Sequence, residues 1–99
     1  MSQAEGPSNH IQRLRIKNRQ KDPINLRIEP WGEELLLPPK VCYEVVAEGP
    51  TGDSLEVEFA DHELNVYGWP GSVVSIFDQH HQLLRGFLIP APSTPLFRA

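Results

Sequence analysis

Apolar and polar residues alternate one for one through much of this chain, and the alternation is repeatedly cut by proline and glycine. The clearest stretch is Ile24, Leu26 and Ile28 interleaved with Asn25, Arg27 and Glu29. A two-residue period sends every apolar side chain to one face of an extended strand, so it specifies a half-buried β-strand. The same rhythm runs through residues 11–17, with Leu14 and Ile16 on one face and Arg13, Arg15 and Lys17 on the other. Residues 41–48 set Val41, Tyr43, Val45 and Ala47 against Cys42, Glu44, Val46 and Glu48. Leu55, Val57 and Phe59 alternate with Glu56 and Glu58. Shorter strands are expected at residues 34–37, around Leu64 and Val66, at 72–77 and at 82–89.

The separators are turn formers: residues 18–23 ending in Asp22-Pro23, Pro30-Trp31-Gly32, Pro38-Pro39, residues 49–53, and Gly68-Trp69-Pro70-Gly71. Ten prolines and seven glycines suit such a fold and oppose a helical bundle, because proline removes a backbone donor and breaks helices. Leu83, Leu84, Phe87 and Leu88 have helical spacing, but Gly86 interrupts them and a strand is the better reading. The pattern predicts an all-β fold, a small single-domain β-sandwich or open barrel of about seven to eight short antiparallel strands. Leu14 and Ile16 with Ile24, Leu26 and Ile28 are expected to form the apolar face of one hairpin.

Ninety-nine residues suit one domain. The reading divides them into a flexible leader at 1–9, the β domain at 10–89 and a proline-rich tail at 90–99. Leu96 and Phe97 are the bulky apolar residues of that tail, which makes them candidate partner contacts. No apolar run approaches the roughly 18 residues of a membrane-spanning helix. Cys42 is the single cysteine, so no intrachain disulfide is available. With no secretory signal pattern at the start, these features point to the cytoplasm.

Catalytic chemistry finds little to stand on. Cys42 falls in mid-strand, where a lone cysteine acts as a small apolar filler, and no adjacent base accompanies it. Ser72 and Ser75 lack a nucleophile-elbow context. His10, His62, His80 and His81 have no spacing that puts two of them on one strand face, and a copper site would need a methionine other than Met1. His62 between Asp61 and Glu63 reads as an exposed acidic turn. Residues 49–52 lack the lysine and following helix of a phosphate loop. No cofactor and no metal site is expected.

Two features remain for binding. Trp31, Tyr67 and Trp69 lie in or beside Pro/Gly corners, either as stacking platforms for a small ligand or sugar or as plugs for the ends of the core. The charges are segregated: Arg13, Arg15, Lys17, Arg19, Lys21 and Arg27 face only Asp22, whereas ten carboxylates from Glu29 to Glu63 face only Lys40. Arg13, Arg15 and Lys17 are candidate partner contacts, and cross-strand pairing with neighbouring acids is the plainer reading. A net charge of −4 and the absence of aromatics between Ile11 and Pro30 disfavour nucleic acid as the partner.

Residues 24–77 resemble a group of small bacterial β proteins of uncharacterised function. The resemblance is carried by Glu29-Pro30-Trp31-Gly32-Glu33, Leu37-Pro38-Pro39, Ala47-Glu48-Gly49-Pro50 and Tyr67-Gly68-Trp69-Pro70-Gly71-Ser72. It implies shared turn geometry and no activity. The group usually has glycine after the double proline, where this chain has Lys40. The expectation is a non-catalytic protein-interaction or ligand-binding module, self-association included. Small-ligand or carbohydrate binding through Trp31, Tyr67 and Trp69 is the alternative, and a small enzyme or metal-binding protein ranks last.

Overall fold

The structure is a computed structural model and describes residues 9–87 and 89–92. Leu96, Phe97 and most of the leader and tail lie outside the described residues. Eight strands and no helix are found among the described residues: β1 (Asn9–Lys17), β2 (Ile24–Glu29), β3 (Glu33–Leu37), β4 (Cys42–Pro50), β5 (Glu56–Ala60), β6 (Glu63–Tyr67), β7 (Val73–Phe77) and β8 (Leu83–Phe87). They form two four-stranded sheets, β1-β4-β7-β8 and β3-β2-β6-β5. Every pairing is antiparallel except β2 with β6, which run parallel.

The alternation reads directly onto the packing. Ile24, Leu26 and Ile28 of β2, Leu37 of β3, and Leu64 and Val66 of β6 meet Val45 and Ala47 of β4, Val74 and Ile76 of β7, and Phe87 of β8 in one buried core. Leu14, Ile16, Leu35, Val41, Tyr43, Leu55 and Leu84 pack around its margin.

Three expectations change. β1 and β2 do not form a hairpin: β1 pairs with β4 and β2 with β3 and β6, in opposite sheets. Their apolar faces therefore oppose one another across the core, which the same periodicity permits equally well. Gly49 and Pro50 close β4, with the reversal beginning at Thr51-Gly52. All five residues of β5 are exposed, although its alternation is as regular as that of β2. The reason is coverage: the Gln12 Oε1 of β1 accepts from the Leu55 amide at 2.7 Å, whereas Asn18, just past the other end of β1, donates through Nδ2 to the Leu37 carbonyl at 2.9 Å. β1 therefore crosses the other sheet diagonally, from the start of β5 to the end of β3. Farther along, no strand among the described residues covers β5, whose residues are all exposed.

Asn18 is the polar hub of the corner between the sheets. It is fully buried, and its Nδ2 also donates to the Asp22 carbonyl at 2.8 Å while Oδ1 accepts from the Gln20 amide at 2.8 Å. Its backbone binds Val41 and Lys40 as well, so each polar group has a partner and burial carries no desolvation debt. Lys40 has a φ of 66°, the left-handed region in which glycine is at ease.

Candidate functional site

The aromatic corners come first, because the sequence singles them out. β2 and β6 run parallel with Glu29 opposite Tyr67, so both tryptophans emerge at the same end of the sandwich. Trp69 turns inward and is 3% exposed. Its Nε1 donates to the Pro50 carbonyl at 2.8 Å, and its ring meets the His10 imidazole with centroids 5.5 Å apart. The chain is tight around it: a Cβ placed on Gly49 would stand 2.7 Å from the Ser72 Cα and 3.0 Å from the Trp69 Nε1. Ser72 is itself fully buried, and its hydroxyl makes no hydrogen bond among the described residues. That small side chain is what the close approach of Gly49 tolerates.

Trp31 is half-buried. It stacks on Phe87 at 5.4 Å with 25° between the rings, and its Nε1 donates to the Ile89 carbonyl at 2.8 Å. Tyr67 alternates with the buried Val66 and so lies on the outer face of its sheet, where its hydroxyl donates to Glu58 Oε1 at 2.9 Å. The three rings occupy three settings: the core, the rim beside β8, and an outer sheet face.

The outer face of β3-β2-β6-β5 is acidic. Glu34, Glu29, Glu63, Glu58 and Glu56 share it with Arg27, Asn25, Asn65 and Tyr67. The Arg27 guanidinium hydrogen-bonds Glu34 and lies 3.6 Å from Glu29. That hydrogen bond, reinforced by the opposite charges, holds the Glu34 carboxyl below its ordinary range and raises Arg27 above its own. Asp78 is also held low, because its Oδ1 accepts the backbone amides of Gln82 and His80 in the β7–β8 turn. Both cases are local pairings that shape a surface or a turn. No group of three or more His, Cys, Asp or Glu side chains converges for a metal among the described residues. Cys42 sits half-buried on β4 with Sγ directed at the Tyr43 carbonyl, 3.8 Å away.

The edges are the other feature of the surface. Arg13, Arg15 and Lys17 lie exposed along the outer face of β1, and Arg15 stands opposite Glu44 of β4. None of the three takes part in the ion pairs within 4 Å among the described residues, which are those of Arg27. On β5, Val57 pairs with the buried Val66 and Phe59 with the buried Leu64. Both therefore project toward the core side of the sheet, yet Val57 is 48% and Phe59 61% exposed. Sequence reasoning places these two residues on one face of a strand. Their alternation is the right signal for a face, and no local signal reveals that the face overhangs.

No protein family, no curated protein and no solved structure matches this chain. No helix among the described residues is long and apolar enough to cross a membrane.

Proposed function

We propose that this chain is a non-catalytic interaction module that takes up an extended protein segment at the β5 edge. One observation carries the reading: Val57 and Phe59 form an apolar overhang on the core side of a strand that is a sheet edge among the described residues. A segment added beside β5 would receive the backbone hydrogen bonds that an edge strand leaves open. Its inward side chains would at the same time cover Val57 and Phe59, extending the core by one strand. Burying the exposed part of these two side chains contributes on the order of 2 kcal/mol in total. Specificity would come from the alternating carboxylates Glu56 and Glu58 on the other face, which favour a basic segment. A protein partner in the cytoplasm, a second copy included, fits this chemistry better than a nucleic acid. The alternative of a ring platform for a small ligand has less support, since Trp31, Tyr67 and Trp69 point to different places.

Panning a displayed library of ten-residue peptides over the immobilised protein tests the reading. The expected outcome is enrichment of peptides that alternate basic and apolar residues, with binding lost in Phe59→Asp. Phe59 is exposed, so that variant should melt like the parent. No enrichment, or enriched peptides that bind Phe59→Asp equally well, would refute strand addition at β5.

A further inference from the structure

We propose that the segment received by β5 is β1 of a second copy of this chain. The proposal rests on the interaction-module reading above and names the occupant of that same edge.

Four strands are sheet edges among the described residues: β1, β8, β3 and β5. Two of them are guarded against strand addition. β3 runs into Pro38-Pro39, and β8 carries a register shift against Ile76 and Phe77. β1 has nine residues in unbroken register with β4 and contains no proline. β5 likewise keeps regular register with β6.

The two unguarded edges repel themselves and complement each other. Joining β5 to another β5 would set Glu56 and Glu58 against carboxylates of the same pattern. Joining β1 to another β1 would do the same with Arg13, Arg15 and Lys17. Like charges directly opposite oppose pairing, and opposite charges favour it. Placing Glu58 opposite Arg15 pairs both carboxylates of β5 with cations in either direction and leaves Ala60 opposite the third cation. Antiparallel, Glu56 meets Lys17, Val57 meets Ile16 and Phe59 meets Leu14. Parallel, Glu56 meets Arg13, Val57 meets Leu14 and Phe59 meets Ile16. In both, cations face carboxylates on the outer side, and the overhanging Val57 and Phe59 meet Leu14 and Ile16, which are half-buried at the core margin of their own sheet.

Glu58 is prepared for this role, since the Tyr67 hydroxyl fixes one carboxylate oxygen at 2.9 Å. Arg15 is exposed and takes part in none of the ion pairs within 4 Å among the described residues. Each copy carries one donor edge and one acceptor edge, so the contact is heterologous in its elements.

Sedimentation velocity over a range of protein and salt concentrations, on the parent and on two single charge reversals, tests the proposal. The parent is expected to associate reversibly and to dissociate as salt rises. Glu58→Arg and Arg15→Glu should each weaken the association at least about tenfold. An equimolar mixture of the two variants should recover it, because the cation introduced at position 58 of one then faces the carboxylate introduced at position 15 of the other. Both positions are exposed, and unchanged thermal melts establish that the variants fold. A parent that stays monomeric at its highest soluble concentration overturns the proposal. So does an association indifferent to both reversals, or a mixture that stays apart. Peptide enrichment sensitive to Phe59→Asp, alongside any of these failures, would leave the module reading standing and remove only the second copy as its occupant.

Discussion

Trp31 and Trp69 follow neighbouring parallel strands at equivalent positions, two residues beyond the paired Glu29 and Tyr67. Both have a proline beside them and a glycine within two residues. They nevertheless end in different environments. After Trp31, Gly32 takes a φ of 74° and the chain reverses into β3 of the same sheet, leaving the ring at the rim against Phe87. After Trp69 the chain crosses to β7 of the opposite sheet, and the ring is drawn into the space between the sheets. The reversal into β3 keeps Trp31 at the margin, whereas the crossover into β7 carries Trp69 into the core. At these two corners the local motif is shared, and the path of the chain beyond it is what differs.

Substitutions at four positions can break or sharpen this contrast. The largest effect belongs to Trp69→Ala, which should cost about 4 kcal/mol, because it opens a large cavity and strands the Pro50 carbonyl. A urea-unfolding loss of under about 2 kcal/mol would show that the Trp69 corner is no more a part of the core than its counterpart. Gly49→Ala comes next, at roughly 3 kcal/mol. Its new Cβ would meet the Ser72 Cα, a backbone atom, at 2.7 Å, so the strand itself must move. A neutral result would mean that β4 and the crossover are not held in close contact.

Trp31→Ala should cost about 2 kcal/mol, from the lost stacking on Phe87 and the lost hydrogen bond to Ile89. Fluorescence of Trp31→Phe, in which Trp69 alone emits, should be bluer and more resistant to a soluble quencher than that of Trp69→Phe. Equal quenching would erase the distinction between the corners. The smallest effect is that of Gly32→Ala. No atom lies within 4 Å of the added Cβ, so only the left-handed backbone resists it, at about 1 kcal/mol. A larger loss would reveal crowding at a corner that is sterically open.

The β5 edge offers the same lesson in a functional setting. Glu56 to Ala60 repeats the alternation of β2, and from sequence Val57 and Phe59 are as apolar and as regularly spaced as Leu26 and Ile28. Leu26 and Ile28 are buried in a central strand, while Val57 and Phe59 overhang at an edge. Periodicity reports which side chains share a face and is silent about what lies opposite. The basic residues of β1 were legible as a stripe on the face away from Leu14 and Ile16, whereas their exposure to solvent was not. That the stripe lines a sheet edge was not legible, because strand order is set by contacts between residues far apart in the chain. Asn18 escaped notice for a related reason: it looks like one polar residue of a turn, and its burial follows from the Leu37 carbonyl and the Lys40–Val41 backbone closing over it.

By itself the sequence determined the strand class, an approximate strand count of seven to eight, the apolar faces and most of the turns. Each of these follows from interactions within a few residues: side-chain alternation, and the backbone limits of proline and glycine. Only the tertiary structure decided that β1 and β2 belong to opposite sheets, that one tryptophan is core and the other rim, and that β5 presents greasy side chains to solvent. These depend on which distant strand arrives to cover a face, and covering is a property of the assembled layers, with no trace in the spacing of neighbouring residues.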